Sequence, residues 1–588
     1  MKTALKYLRP FRISIIFVVI FVFIQSTVEL LLPNFMSSIV QQGIIANDTA
    51  FILKTGGIML AVSLIGVAAT ILVSYLSSKV SMGMGRDMRG DIFNKAMAFS
   101  LNEFDTIGTS SMITRSTNDV QHLQMVTIMI LRMVISSPIL AVGGVFMAVS
   151  KNPELSLIFL AALPVIGLLI FIVAKKGRPL FSAMQKKLDK LNLVMRERLI
   201  GIRVIRAYDK EEDESLKFNE ANRDLTDTAI KVNRIMATLM PVIMMVMNGT
   251  ALSIIWFSSH KIAEGTMNVG DMMAFIQYAM LILMSLLMLS MIFVMLPRAA
   301  VSAERIKEVL QTEPSITDKE TVSEAVPVTC RDDLLGCIEF RNVSFSYPGA
   351  SEPVLHDISF KATPGEMTAI IGSTGSGKST VVNLIPRFYD IDSGEILIDG
   401  VNIAEMKQSE LREKIGYVPQ KAVLFSGTIA DNLRFGNDDA SDEQLERAAK
   451  IAMAYDFITE KSEGFNEPVS QGGTNVSGGQ KQRLSIARAI AKDPEIYIFD
   501  DSFSALDART DRMLRDALRK EISRSTVIIV SQRVSTVMDA DRIIVLNDGR
   551  MVGMGTHDEL IRSNAIYREI VESQLPAHEG QNEGGSNE

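Results

Sequence analysis

Met367-Thr368-Ala369-Ile370-Ile371-Gly372-Ser373-Thr374-Gly375-Ser376-Gly377-Lys378-Ser379-Thr380 is an apolar run that enters a glycine-rich loop and continues into a helix-compatible stretch. Residues Gly372 to Ser379 fit the pattern G-x-x-x-x-G-K-[ST], and Thr380 follows. Glycines let backbone N–H groups wrap phosphate oxygens, and a helix N-terminus adds positive potential at the same place. In such a loop Lys378 reaches the β- and γ-phosphates of a nucleotide, and the Ser379 hydroxyl ligates Mg²⁺. The order strand, loop, helix therefore predicts an α/β domain that takes ATP and Mg²⁺.

Upstream of this stretch the composition changes. The 588 residues are 47% hydrophobic, and the long apolar runs fall in the first 310. Six of them, near 13–40, 54–82, 126–150, 155–174, 235–257 and 272–296, approach or exceed the roughly 20 residues that cross a ~30 Å hydrocarbon core. The first is long enough to span, so it is not read as a cleaved leader. The segments 79–125 and 175–234 are charged and read as helices projecting from the membrane. They hold most of the Lys and Arg of the first 310 residues, whereas the three short connections contain only Lys151 and Lys261. That asymmetry predicts a multi-pass protein of the cell membrane with both termini cytoplasmic.

The boundaries follow: residues 1–12 an interfacial segment, 13–310 a six-span all-α domain, 311–337 a linker rich in polar groups, 338–575 the nucleotide-binding domain, and 576–588 a polar tail expected to be disordered. A net charge of −7 gives a nucleic-acid role no electrostatic support. The two cysteines, Cys330 and Cys337, are expected to be free thiols in a reducing compartment.

Two further motifs narrow the class. Val476-Ser477-Gly478-Gly479-Gln480 opens a second anion-friendly helix start, and Ile496-Tyr497-Ile498-Phe499-Asp500-Asp501 is an apolar strand running into two acids. With the phosphate loop, these resemble the ATP-binding cassette (ABC) family. Across nearly the whole chain the order of spans and cassette resembles half-size exporters of that family, and within them one subunit of bacterial heterodimeric multidrug exporters. The resemblance implies roles. Tyr347 would stack on adenine, and Gln420 would join Mg²⁺ and the γ-phosphate. Asp500 would hold Mg²⁺ with Ser379, and Asp507 would lie in the loop that crosses between cassettes. The stretches Thr109–Asp119 and Glu197–Asp209 would be the coupling helices that dock on cassettes.

The chain departs from the family at two points. Asp501 stands where a catalytic Glu is usual, and Gln532 where a His is usual. In the family each ATP lies between one chain's phosphate loop and the other chain's signature motif. The altered pair therefore belongs to one site, while Ser477, Gly478, Gly479 and Gln480 complete the other. The implied function is one half of a heterodimeric exporter of amphipathic small molecules, with a poor site of its own and a second half-transporter as partner. A homodimer with two slow sites, a lipid or peptide exporter and a nucleotide-gated regulator are the alternatives. Inside the spans, Glu29 is a candidate counter-charge for cationic substrates. Met284 and Met288, in a run of methionines at helical spacing, are candidates for an adaptable pocket. The competing reading for both is ordinary helix packing.

Overall fold

The computed structural model describes residues 2–318 and 335–574. The chain clusters into two units, Met1–Met97 with Thr109–Thr312, and Ala98–Gly108 with Glu313–Glu588.

The first unit is entirely helical. Lys2–Leu8 and Arg9–Phe11 are short helices at the N-terminus, and among the described residues six helices are long and apolar enough to cross a membrane. With no water in the hydrocarbon, every backbone group must bond within its own segment, so helices are the form these apolar runs take. Several run far past the bilayer: Thr49–Met97 has 49 residues, Leu157–Ala207 has 51 and Glu211–Ala263 has 53. The last two pair through Arg198–Glu214 at 2.7 Å and Lys187–Asp224 at 2.5 Å. They meet in a tight turn at Tyr208–Lys210, where Asp209 takes φ +50°.

Small residues let the spans approach one another. A Cβ on Gly66 would come within 2.8 Å of Val28, and one on Gly144 within 2.7 Å of Ile282. The two lysines that break the charge asymmetry are both neutralised. Lys151 Nζ lies 2.8 Å from Asp271, which also accepts a 2.7 Å hydrogen bond from Ser37, and Lys261 pairs with Glu154. Asp271 thus ties the first, third and sixth spans together.

The second unit is the cassette. Its central sheet runs edge to edge through Arg550–Gly555, Arg542–Asn547, Met367–Gly372, Thr526–Val530, Ile496–Asp500 and Ile415–Val418. All contacts in it are parallel except that between the first two strands. A parallel sheet is covered on both faces, and alternation along one strand shows it. Tyr497 and Phe499 enter one apolar core, while Ile496 and Ile498 enter the other. A four-stranded sheet containing Ile338–Phe345 closes the second core.

Two expectations need correction. Cys337 is disulfide-bonded, not free. The other cysteine, Cys330, lies outside the described residues, as does the tail 576–588. Cys337 is buried and its backbone N–H is held by Asp399 at 2.9 Å, a fixed position that a compartment-based reading cannot anticipate. The helix that groups with the cassette is Leu101–Ile107, earlier than Thr109–Asp119. It starts with a capping box in which Ser100 and Glu103 satisfy each other. Glu103 also accepts the Ser315 N–H at 3.2 Å. Thr109–Asp119 belongs to the membrane unit, and Glu197–Asp209 is the end of a long helix and its turn.

Asp271→Ala should lower the thermal unfolding midpoint of the detergent-solubilised chain, since it orphans Lys151 and Ser37 at a cost of about 1–3 kcal/mol. Combining it with Lys151→Ala should add little more, because the two groups act on each other. Fully additive losses would contradict the shared contact.

Candidate nucleotide site

Met367–Gly372 is fully buried, and Lys378–Leu384 starts the helix beyond the loop. Gly375 and Gly377 turn through φ +84° and +95°, backbone that disfavours a side chain. At Gly377 a Cβ would also press within 2.7 Å of Leu355. Lys378 folds back over the loop, donating to the carbonyls of Gly372 at 2.9 Å and Ser373 at 2.7 Å. Burial pushes its pKa down, against the pull of Asp501 and Asp500.

Asp500, 4% exposed, ends the strand Ile496–Asp500 and accepts a 2.9 Å hydrogen bond from Ser379. Burial raises its pKa, and the neighbouring Asp501 carboxylate adds to the rise. A desolvated carboxylate beside a hydroxyl, with a second acid next to it, suits a hard cation bound through oxygen. These residues fit Mg²⁺, which Ser379 and Asp500 would hold, with the Gln420 side chain beside them on Asp501.

Asp501 leaves the strand with φ +44°, a left-handed conformation that Asp tolerates better than most residues. Its N–H donates to Val530 O at 2.9 Å, which fixes the backbone. Burial raises its pKa too, opposed by a 3.3 Å hydrogen bond from Gln420 Nε2. Gln532 sits across the loop, its Oε1 accepting from Thr374 Oγ1 at 3.3 Å. Tyr347 reaches the same helix, its hydroxyl 3.1 Å from that of Thr380.

These hydrogen bonds bring Thr374, Lys378, Ser379, Thr380, Tyr347, Gln420, Asp500, Asp501 and Gln532 together. The signature segment stands apart: among the described residues no hydrogen bond joins it to the phosphate loop. Ser477 and Gln480 form a capping box at the start of Gly478–Ala491, and a Cβ on Gly478 would meet nothing within 4 Å. Asp507 caps the helix Ala508–Glu521 by accepting the Thr510 N–H at 3.0 Å. The unusual run Gln471–Asn475 makes a turn with Gly472 and Gly473 both at φ +66°, pinned when Lys481 donates to Gly472 O at 3.0 Å.

Three contacts were beyond sequence reasoning or missed by it. Tyr389 packs edge-on against Tyr347 at 5.3 Å and donates a 3.0 Å hydrogen bond to Asp105 of the Leu101–Ile107 helix. Nothing local in the sequence signals that link. Gln574 contacts the Gln532 loop from the last described helix. Arg132, a cation inside the third span, was legible by the rule that picked out Glu29. It donates to Ser74 O at 2.8 Å and Ser78 Oγ at 3.2 Å, leaving its buried Nε with no hydrogen-bond partner among the described residues. Glu29 is half-buried, accepting from Gln25 at 3.0 Å. Met284 and Met288 are 44% and 40% exposed on this chain.

Residues 15–287 match the ABC transporter transmembrane region, and residues 355–504 match the ABC transporter family. An uncharacterized ABC transporter ATP-binding protein of Mycobacterium tuberculosis is 39% identical, with 97% of each chain covered. The ATP-dependent lipid A-core flippase of Pseudomonas fluorescens is 34% identical over 97% of this chain and 96% of its own length. A bacterial Atm1-family ABC exporter, solved with ATP bound, superposes with a TM-score of 0.78 at 25% identity, covering 97% of this chain and 99% of that one.

Lys378→Ala should weaken ATP binding to the full-length chain by at least about tenfold, the worth of one charged hydrogen bond. Displacement of a fluorescent nucleotide measures it. Unchanged affinity would remove the phosphate-loop assignment.

Proposed function

The chain belongs to the ABC transporter family as a half-size membrane exporter that couples ATP hydrolysis to transport, and we propose that it is the subunit of a heterodimer whose own ATP site is hydrolytically poor. In this reading the cassette and both termini are cytoplasmic. The observation that carries the proposal is Asp501. A general base must come within about 2.6–3.2 Å of the water it activates. Asp on a Glu backbone position falls short by about one C–C bond, ~1.5 Å. The Asp501 backbone is held to Val530, so the chain has little freedom to make up the gap. Gln532 still hydrogen-bonds a γ-phosphate but cannot become cationic as His can. Loss of a positioned base costs about 10²–10⁴-fold.

The signature segment supports the other half of the proposal. Ser477–Gln480 keeps its capping box, and Gly478 presents bare backbone with open space above it. That is the surface needed to close on the γ-phosphate of a nucleotide held by a partner chain. Tyr389 supplies a coupling route, because one residue touches both the adenine-side Tyr347 and Asp105 of the docked helix.

For the substrate, the half-buried Glu29 carboxylate supports a cationic amphipathic compound, with Met284 and Met288 as adaptable apolar contacts. A second reading, a lipid exporter, is favoured by Arg132, whose unpartnered Nε suits an anionic headgroup, and by the flippases among the relatives.

Two experiments test these readings. In the purified heterodimer, Asp501→Asn should change steady-state ATP turnover only modestly, whereas Gly478→Ala should lower it by about 10²-fold, since that group would complete the competent site. The reverse ranking would show the sites assigned the wrong way round. In transport assays, Glu29→Gln should weaken efflux of cationic dyes more than of neutral ones. Equal loss for both, with flipping of an anionic lipid sensitive to Arg132→Ala, would favour the lipid reading.

A further inference from the structure

The helix Ala565–Gln574 ends against the loop that carries Gln532. There the Gln574 side-chain amide bridges two backbone groups on either side of Arg533. Its Nε2 donates to Gln532 O at 2.7 Å, and its Oε1 accepts the Val534 N–H at 2.8 Å. Val534 begins the short helix Val534–Val537, whose N-cap residue, Arg533, makes no capping hydrogen bond with its side chain. An uncapped helix start leaves N–H groups without partners, and Gln574 satisfies one of them from 40 residues downstream in sequence.

The bridge is held at both ends. On the loop side, Arg533 N–H donates to Ser531 Oγ at 3.0 Å and its guanidinium to Ser504 O at 3.0 Å. On the helix side, Tyr567 is fully buried, lies 2.7 Å from His557 Nδ1 and donates its backbone N–H to Asn564 at 2.8 Å. Ile570 and Val571 pack on the adjoining core. The Gln574 amide is therefore offered from a fixed helix, and the Gln532 backbone is clamped while its side chain points to Thr374 in the phosphate loop.

The geometry points to Gln574 as a positioning residue: it latches the Gln532 loop so that the Gln532 side chain stays aimed at the γ-phosphate of ATP in this chain's own site. The inference rests on the reading of Gln532 as a γ-phosphate contact. It adds that the C-terminal helix sets how well the site tells ATP from ADP, because ADP lacks the group Gln532 would meet.

The test uses the full-length chain in lipid nanodiscs, with ATP and ADP affinities read by displacement of a fluorescent nucleotide. Gln574→Ala lowers the ATP-to-ADP affinity ratio by about tenfold, the scale of one hydrogen bond to a charged group, and leaves ADP affinity unchanged. Gln532→Ala lowers the ratio to the same extent, and the double variant goes no further, because the two act as a unit. Gln574→Glu keeps an acceptor for Val534 but sets a carboxylate against the Gln532 carbonyl, so it behaves like the alanine variant. The latch is overturned if Gln574→Ala leaves the ratio intact while Gln532→Ala lowers it, or if the two losses multiply. It is also overturned if Gln574→Ala weakens ATP and ADP alike, the mark of a merely structural role. An intact ratio in Gln532→Ala would instead remove the γ-phosphate reading, and the latch with it.

Discussion

Two carboxylates placed side by side at the end of a fully buried strand set the terms for the cassette. Asp500 and Asp501 leave Ile496–Asp500 where water is largely excluded, and burial raises the pKa of both. Charge in that position persists only when something nearby answers it. Lys378 answers from the loop opposite, Ser379 and Gln420 donate hydrogen bonds, and the site suits a divalent cation between them. The sheet holds that strand and the phosphate-loop strand two positions apart, with Thr526–Val530 between them. The sheet is packed on both faces and the Asp501 N–H is held by Val530 O at 2.9 Å, so the strand beneath fixes where this carboxylate stands.

The membrane unit obeys a different constraint. Lipid offers its helices no hydrophobic gain for associating, so close packing and a few polar ties do the work. Gly66 and Gly144 permit the approach, and Asp271, Arg132 and Tyr278 supply the ties, the last by donating to Leu30 O at 3.1 Å. Charges in or beside spans are costly to leave unpaired, and Asp271 and Arg132 each touch more than one neighbour.

What the sequence makes legible is what is encoded locally. The phosphate loop is readable because its glycines, lysine and hydroxyl act through neighbours in the chain, and the six spans are readable because the bilayer fixes their length. Asp501 is readable as a departure because the strand before it fixes its place. The contacts that escape are those between distant segments. Nothing in the stretch around Gln574 points to Gln532, and nothing around Tyr389 points to Asp105. The sequence pattern does not single out Leu101–Ile107, the helix that groups with the cassette: Gly108, at φ +81°, ends it while the charge pattern runs straight through. The free-thiol expectation failed for a related reason: it rested on compartment chemistry, while the bond at Cys337 depends on where the chain is held.

The central claim is that Asp501 and Gln532 make this chain's site slow while leaving it able to bind ATP. The full-length chain purified alone tests it, since two copies would pair altered phosphate-loop sites with intact signature segments. ATP turnover of the wild-type chain is compared with that of a variant carrying Asp501→Glu and Gln532→His. The account predicts that the variant turns over at least about 10²-fold faster, the contribution of a positioned base, at a similar ATP affinity. A wild-type chain already as fast as the variant would contradict it.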